Sequence, residues 1–437
     1  MGGALDPEAR VTERWVVDQF GVTHAQAREA LHRLEKRGAL ILTPRRGATL
    51  LGVRDADRDE VRPVWLALLK LAVQLAGERG GAAAARSGSL SGKWNRHLAV
   101  EAAIDSIASA AGNARLGTAL HRLAVEVGVA HRGETPLDAE AMIELTSALA
   151  ANRLTGADRL VRKTYAGGRR RNEPRNAALA LLSRAPLAPA FEVGKYAPQV
   201  RAYLRRVAEH VGVATENAPP AATQLAEVIR QRIQFGELRP GDAVREQPLA
   251  QAYGVSRGPV RDALRILDRE GLVTLHGRRG AAVRGLSAKD GLDMSKIRAA
   301  VSGVQMAEAA RMEVRYPWVD AELQSGVDLL EKIAADRGSP LSNYIVARRV
   351  LAVVTLAAGG NVVVGRLSSA LESEVTTLWA TVLSKDRQKT SAKTWRRIVD
   401  AILAHDAEEA ETLGRRIVED AFSAALDTVE MQALKDD

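Results

Sequence analysis

The most regular hydrophobic pattern in the chain lies between residues 257 and 267, where apolar residues recur every three or four positions. This spacing predicts a helix with one buried face. The buried positions are Val260, Ala263, Leu264 and Leu267. Cations recur every four residues on another face of the same helix, at Arg257, Arg261 and Arg265. The segment is therefore expected to form an amphipathic helix whose outer face is basic.

A shorter apolar pattern, formed by Leu249, Ala250 and Tyr253, precedes this helix. Between the two, Gly254 predicts a tight turn. Ser256 is a suitable N-cap, because its hydroxyl can accept a hydrogen bond from an N–H group of the first helical turn. A helix, a glycine turn and a basic helix in this order predict a helix-turn-helix, whose second helix enters the major groove of DNA.

Two short β-prone runs follow, at residues 273–275 and 282–284. The residues between them include Gly277, Arg278, Arg279 and Gly280. They predict a hairpin, or wing, with two arginines at its tip.

The stretch from 222 to 286 resembles the winged helix of the GntR family of bacterial transcription regulators. The motif positions are Gly236, Leu238, Pro240, Gly241, the complete run from Val255 to Leu264, Gly271, Leu272 and Gly280. The resemblance implies DNA-binding roles for Gln247, Ser256, Arg257, Pro259, Arg261, Arg265, Gly277, Arg278, Arg279 and Gly280. The alternative interpretation is a generic three-helix domain with a solvated basic face.

The beginning of the chain repeats this pattern. A shift of 233 residues, which places Val11 on Val244, aligns residues 3–52 with the later stretch without a gap. A repeat of this length predicts a duplicated domain rather than a solenoid, whose units are far shorter. Residues 1–54 are called the first winged helix below, and residues 221–287 the second.

The first winged helix lacks a counterpart of the helix predicted at 222–233, because Met1 aligns with Gln234. We expect either that apolar surface is exposed around Trp15, Val16 and Leu31, or that translation starts upstream of Met1. Intact-mass measurement on the native protein distinguishes these two interpretations.

The DNA-facing positions of the two winged helices also differ. His24 stands where the second winged helix has Arg257, and it cannot give guanine a bidentate guanidinium contact. Arg14 replaces Gln247. The residues implied to bind DNA in the first winged helix are Arg14, Thr23, His24, Arg28, Arg45 and Arg46. We therefore expect the two winged helices to prefer different half-sites.

Helical apolar spacing follows each winged helix. A predicted helix at 97–111 ends at Gly112-Asn113, and one at 343–358 ends at Gly360-Asn361. The segment between the wing and the Gly-Asn pair is 15 residues shorter in the first copy than in the second. We therefore expect that a helix near 319–335 has no counterpart in the first copy. The sequence predicts a mainly α protein with two winged helix-turn-helix domains, each followed by an all-α bundle. The expected segments are 1–54, 55–166, 167–220, 221–287 and 288–437.

These bundles resemble the ligand-sensing domain of FadR-like GntR regulators, which often holds a metal through Asp and three His. The aligned positions carry Arg348, Ala352, Trp395 and Ile417 in the second bundle, and Val100, Ile104, Met142 and Thr164 in the first. Arginine, alanine, valine and isoleucine do not coordinate such ions, so we expect no metal and no other cofactor. Arg348 and Trp395 are instead candidates for an effector pocket that takes an organic acid or acyl compound. The alternative is that Arg348 is a surface or structural arginine.

A basic stretch, residues 161–206, separates the halves and carries eleven Lys and Arg against two Glu. It is either a solvated linker or an arm that contacts phosphates and steepens salt dependence. Residues 203–211 are expected to be helical.

Composition limits the remaining alternatives. The chain of 437 residues is 46% hydrophobic, carries a net charge of +9 and has no Cys, which excludes disulfides and thiolate metal sites and suits a reducing cytoplasm. No apolar run was expected to span a membrane. The eight histidines form no ligand-spaced pair, and neither a P-loop nor a nucleophile elbow occurs. Nothing in the sequence indicates an enzyme.

We therefore expect a cytoplasmic, nucleoid-associated regulator, by resemblance a ligand-responsive repressor, that reads operator DNA with residues 254–284. Its partners are expected to be double-stranded DNA, a small-molecule effector, and a second DNA-binding head. That head is supplied either within the chain, as a pseudo-dimer, or by a homodimer. The alternative function is a decayed regulator acting as a protein-interaction or dimerisation module.

Overall fold

The computed structural model describes residues 10–36, 40–43, 47–50, 58–79, 96–130, 137–164, 195–212, 221–234, 237–269, 271–276, 280–285, 288–368, 371 and 384–436. The chain divides into two compact units, residues 1–171 and 172–437. Both are mainly helical, as the apolar spacing predicts.

The first unit begins with a small winged helix. It comprises β1 (Arg10–Val11), α1 (Glu13–Phe20), α2 (His24–Lys36), β2 (Leu40–Thr43) and β3 (Gly47–Leu50). Strand β3 lies between β1 and β2 and is antiparallel to both.

Part of the core of this winged helix lies among the described residues. Val11, Leu31 and Ala48 form its buried cluster among the described residues, and Trp15 and Val16 pack against it half-buried. Leu31 is only 3% exposed. The expectation of an exposed Leu31 is therefore wrong, because Val11 and Ala48 from the sheet cover it.

A helical bundle completes the first unit. Its helices are α3 (Arg58–Glu78), α4 (Arg96–Ala111), α5 (Ala114–Ala130), α6 (Ala139–Ala150) and α7 (Ala157–Lys163). The indole N–H of the fully buried Trp65 donates to the Thr164 hydroxyl at 3.0 Å, which ties α3 to the end of α7.

The second unit contains α8 (Ala197–Val211) and then the second winged helix. The latter comprises α9 (Ala221–Gln234), β4 (Ala243–Val244), α10 (Glu246–Ala252), α11 (Arg257–Arg269), β5 (Val273–Leu275) and β6 (Ala281–Val283). Its strand order is β4-β6-β5, so the last strand is central, as in the first winged helix. Its core is a cluster of fifteen buried residues to which α9 contributes four: Leu225, Ala226, Ile229 and Ile233.

The second bundle comprises α12 (Ala288–Arg311), α13 (Val319–Ala335), α14 (Leu341–Gly359), α15 (Lys385–Leu403) and α16 (Ala407–Asp436). Helix α12 packs along α16 and α14, while α13 packs on α14 and α15. Helix α13 occupies the range where the sequence predicted a helix without a counterpart in the first bundle.

Helix α8 is longer than the predicted helix at 203–211 and packs on α13 and α14. The buried Tyr203 hydroxyl donates to the Glu322 carbonyl at 3.0 Å. Arg206 forms two hydrogen bonds with the Glu322 carboxylate, at 2.8 and 3.0 Å. This part of the expected linker is therefore packed on the second bundle, whereas Arg169, Arg170 and Arg171 lie outside the described residues.

The Gly-Asn pairs have the same local geometry in both bundles. Gly112 and Gly360 adopt φ values of 59° and 63°, the left-handed region that favours glycine. The side-chain oxygens of Asn113 and Asn361 then accept from backbone N–H groups three residues later, each at 2.9 Å. Each pair thus ends one helix and caps the next.

Helix α14 is long and apolar enough to cross a membrane by length and composition, the one such helix among the described residues. The expectation that no run reaches this length was therefore too strong. The most apolar part of α14 is 72% buried inside the protein, as a core helix of a bundle would be.

Candidate functional site: the DNA-facing helix and the bundle cavity

The basic helix α11 lies on the winged-helix core as the sequence predicts. Val260, Ala263, Leu264 and Leu267 are fully buried. Arg257, Arg261 and Arg265 are exposed on another face of the helix. Burial of four apolar side chains fixes the rotation of α11, and therefore which residues its outer face presents.

Arg257 is held toward the first helix of the helix-turn-helix. Its Nη2 donates to the Gln247 Oε1 at 2.7 Å, and both residues are exposed. The bond restricts the rotamers of a long side chain while leaving other donors of the guanidinium for a ligand. Two residues that the sequence assigns to DNA binding are thus brought together.

Arg261 is engaged within the protein. Its Nε and Nη2 donate to the two Glu246 carboxylate oxygens at 3.1 and 3.0 Å. The hydrogen bonds from Arg261 lower the pKa of Glu246, and the Glu246 carboxylate raises the pKa of Arg261. The Arg261 side chain is nevertheless 57% exposed, and its DNA-binding role stays a prediction. Its bidentate edge faces Glu246, a pairing the sequence analysis missed. Arg265 pairs with Asp262 at 3.2 Å.

Ser256 occupies the predicted cap position and is exposed. Its hydroxyl makes no hydrogen bond with any described residue, so the predicted capping bond is corrected. Pro259, at the third helical position, has no N–H to donate. The Ser256 hydroxyl therefore remains available for an external acceptor.

The wing is fixed at its base by Gly280. This residue has φ of 90°, and a Cβ placed on it would lie 2.6 Å from the Val244 carbonyl oxygen. Gly47 repeats this geometry in the first winged helix, with φ of 83° and 2.9 Å to the Val11 oxygen. The wing-tip residues Gly277, Arg278, Arg279, Arg45 and Arg46 lie outside the described residues.

The DNA-facing residues of the first winged helix are arranged differently. Thr23 caps α2, since its hydroxyl accepts from the Gln26 N–H at 3.2 Å and its own N–H donates to the Gln26 side chain at 2.9 Å. Arg28 forms a bidentate pair with Glu13 at 2.8 and 3.0 Å, the counterpart of Arg261 with Glu246. His24 is exposed.

Arg14 occupies the position of Gln247, but its contacts differ. Its side chain is 87% exposed, and its nearest carboxylate, that of Asp18, is 3.9 Å away. Of the two described DNA-facing arginines of the first winged helix, the one on α1 is therefore more exposed than Arg28 on α2.

A cavity of about 410 Å³ lies in the second bundle, between α12, α14, α15 and α16. Arg348 and Trp395, the two predicted pocket residues, both line it. So do Ala352 and Ile417, which stand with them at the family's metal-ligand positions. The four aligned positions therefore converge on one cavity.

The cavity is strongly basic. Besides Arg348 its lining includes Arg298, Arg349 and Arg387, against the single carboxylate of Asp420. The sequence analysis missed these three arginines because two lie on helices other than that of Arg348. The Arg348-Arg349 pair was the only signal available. Within the described residues, no group of three or more His, Cys, Asp and Glu is placed to hold a metal ion.

Trp395 provides a donor inside this cavity. Its side chain is 3% exposed, and its indole N–H is buried without a hydrogen-bond partner. A buried donor without a partner is energetically unfavourable. An acceptor atom in the cavity could relieve this cost.

Comparison with known proteins assigns both regions. The family described as bacterial regulatory proteins, gntR family, matches residues 1–50 and 221–283, and the FCD domain matches residues 294–420. A probable D-xylose utilization operon transcriptional repressor of Paenarthrobacter nicotinovorans is 31% identical over 190 residues, which cover 44% of this chain and 82% of that relative.

The match to the HTH-type transcriptional regulator YdhC of Bacillus subtilis (strain 168) is 37% identical over 79 residues, and covers 18% of this chain and 35% of that relative. The solved structure of E. coli McbR/YncC aligns over 48% of this chain and 99% of its own, with a TM-score of 0.43 and 16% identity. Since the chain covers most of the xylose-operon relative, it belongs to the GntR family of bacterial regulatory proteins, as a DNA-binding transcription regulator with an FCD domain and not an enzyme.

Proposed function

We propose that the chain is a ligand-responsive repressor that reads operator DNA with the outer face of α11 and the adjoining wing. The observation that carries this proposal is the exposed, pre-oriented Arg257 on a helix whose apolar face is fully buried. A side chain held in place loses less conformational entropy when it binds. The repressor assignment is taken from the xylose-operon relative and from a gluconate operon transcriptional repressor of Bacillus licheniformis, 42% identical over 62 residues.

Arg257 and Arg261 of α11 have different roles in this proposal. Arg257 contacts a base edge, with guanine N7 and O6 as its preferred acceptors. Arg261, held by Glu246, fixes α10 against α11 and so sets the angle of the reading surface. Ser256, Arg278 and Arg279 contact phosphates or the flanking minor groove, and thereby position the helix.

The two halves of the chain are proposed to be a tandem duplication. In both winged helices the last strand is the central one, and the wing glycine lies against a backbone carbonyl of the first strand. A Glu–Arg pair also occupies the same aligned positions in both. Regulators of this type need two DNA-binding heads, because operators are commonly two-fold. We propose that one chain supplies both heads as a pseudo-dimer.

The operator of such a pseudo-dimer would be asymmetric. The second winged helix presents Arg257 from its recognition helix, whereas the first presents Arg14 from the preceding helix and His24 from the recognition helix. The stronger half-site should belong to the second winged helix, because Arg257 can give guanine a bidentate contact and His24 cannot.

The cavity of the second bundle is proposed to be the effector site. Its arginines favour an anionic group, and the Trp395 N–H offers a further donor to a carboxylate or acyl oxygen. An organic acid or an acyl compound fits this chemistry without a metal ion. Elemental analysis of the purified protein should find no tightly held transition metal, and one such ion per chain would contradict this site chemistry.

Selection of binding sites from random duplex DNA tests the reading surface. The wild-type chain should enrich an asymmetric site. Arg257→Ala should weaken binding by about 1–3 kcal/mol and relax one base position. His24→Ala, the same position in the first winged helix, is the matched control and should change the weaker half-site only. Enrichment of a perfectly two-fold site would instead support ordinary dimers that use the second winged helix.

A further inference from the structure

Helix α9, the first helix of the second winged helix, has two buried faces. Its apolar face packs on the recognition helix α11. Its polar face carries Glu227, Arg230 and Gln231, which are only 2%, 9% and 4% exposed. Polar side chains are seldom buried to this degree unless specific partners hold them.

Glu227 is the centre of that polar face. Its carboxylate accepts from the Gln231 side-chain amide at 3.0 Å and from the Arg230 guanidinium. Its Oε1 also lies 4.0 Å from Nη1 of Arg349, on helix α14 of the bundle. An ion pair therefore crosses from the winged helix to the effector bundle.

Arg349 belongs to two sites at once. Besides facing Glu227, it lines the cavity proposed to hold the effector. Its side chain is 18% exposed, so its charge is only partly screened by solvent. One guanidinium thus stands between a buried carboxylate of the winged helix and the space where an anionic ligand would lie.

We propose that Arg349 couples ligand binding in the cavity to the position of the recognition helix. Its guanidinium can pair either with Glu227 or with an anion bound in the cavity. An anion bound in the cavity draws Arg349 toward itself and weakens its pairing with Glu227. Helix α9 is then held less firmly against α14. Because α9 packs on α11, the position of the reading surface changes with it. This inference rests on the proposed effector role of the cavity.

The linkage is reciprocal, as thermodynamics requires. DNA that favours the paired arrangement of Arg349 and Glu227 lowers the affinity of the cavity for an anion by the same factor as the anion lowers the affinity for DNA. Removal of either partner uncouples the two sites, while the cavity keeps Arg298, Arg348 and Arg387 and the winged helix keeps its core.

The decisive experiment needs neither ligand nor DNA. Amide hydrogen exchange along α9 is compared between the full-length wild-type chain and Arg349→Gln, Glu227→Gln and the double variant. We expect each single change to speed exchange in α9 by about fivefold or more, and the double change to add little. Arg348→Gln is the matched control, since it removes the neighbouring cavity arginine and should leave α9 unchanged. Unchanged α9 exchange in Arg349→Gln, or additive effects, would overturn the proposal.

A second arm separates this inference from the proposed function. Affinity for the selected operator site is measured with and without citrate, a tricarboxylate probe. The wild-type chain should lose affinity when citrate is present, and Arg349→Gln should bind DNA equally with and without it. A citrate effect that persists in Arg349→Gln would overturn the transmission role. If citrate leaves the operator affinity of the wild-type chain unchanged, this counts against the anionic effector. The hydrogen-exchange result then still tests the contact between Arg349 and Glu227.

Discussion

The difference between the two winged-helix cores gives a quantitative prediction. Leu264 and Leu31 occupy the same position of the two recognition helices, and they are 0% and 3% exposed. Replacing either by alanine removes nearly the same buried surface. Their described neighbours differ, because Leu264 lies on a helix that packs against the buried residues of α9, whereas the half-buried Trp15 and Val16 pack against the cluster of Leu31.

The cost of such a truncation has a transfer term and a cavity term. The cavity term depends on how far neighbouring groups can move into the space. Around Leu264 they are fixed by a complete core, so the loss for Leu264→Ala should be about 4 kcal/mol. Around Leu31 the half-buried Trp15 and Val16 can move into the space, and the loss for Leu31→Ala should be about 2 kcal/mol, mostly the transfer term.

Native-state hydrogen exchange is the suitable assay, because unfolding of a chain with two units is not a single two-state transition. Exchange of the most protected amides of α11 and α2 reports the opening free energy of each winged helix separately. Equal losses at the two leucines, or a larger loss at Leu31, would refute the reasoning that the half-buried neighbours of Leu31 relax into the space.

Three further predictions follow from the geometry of the second winged helix. Gly280→Ala should destabilise it by more than about 1 kcal/mol, because a left-handed residue with a Cβ would meet the backbone of β4, and exchange in β5 and β6 should reveal this. Gln247→Ala should weaken operator binding less than Arg257→Ala, because it removes only the orientation of that arginine; titration of both variants checks the order. The paired Glu246 should stabilise the fold above its ordinary pKa, and this contribution should be lost as the pH falls through its lowered folded pKa. The free energy of unfolding of Glu246→Gln should therefore fall less steeply at acid pH than that of the wild-type chain. An equally steep fall in that variant would contradict the pairing.

Elements that rest on local pattern were predictable from the sequence. The buried face of α11, the wing and the Gly-Asn caps follow from spacing and from residues with special backbone freedom. The predicted range of α13 was also correct, because the alignment of the two copies leaves 15 residues unmatched there. Such features depend on neighbours within a few residues, which periodicity records.

Contacts between distant elements were not predictable in this way. The pairing of Arg261 with Glu246 joins side chains from two helices, which sequence spacing alone does not indicate. The packing of α8 on the bundle turns part of an expected linker into a structural helix. The contact of Arg349 with Glu227 joins residues whose proximity is set by tertiary packing, which no single-sequence pattern encodes.

The central claim is that α11 reads operator DNA through Arg257. The most direct measurement is a nuclease footprint on the DNA upstream of the protein's own gene, with the wild-type chain beside Arg257→Ala and the matched His24→Ala. The account predicts an asymmetric protected site, whose stronger half is lost with Arg257→Ala and retained with His24→Ala. Protection of both half-sites by Arg257→Ala, at the concentration at which the wild-type chain protects them, would contradict this claim.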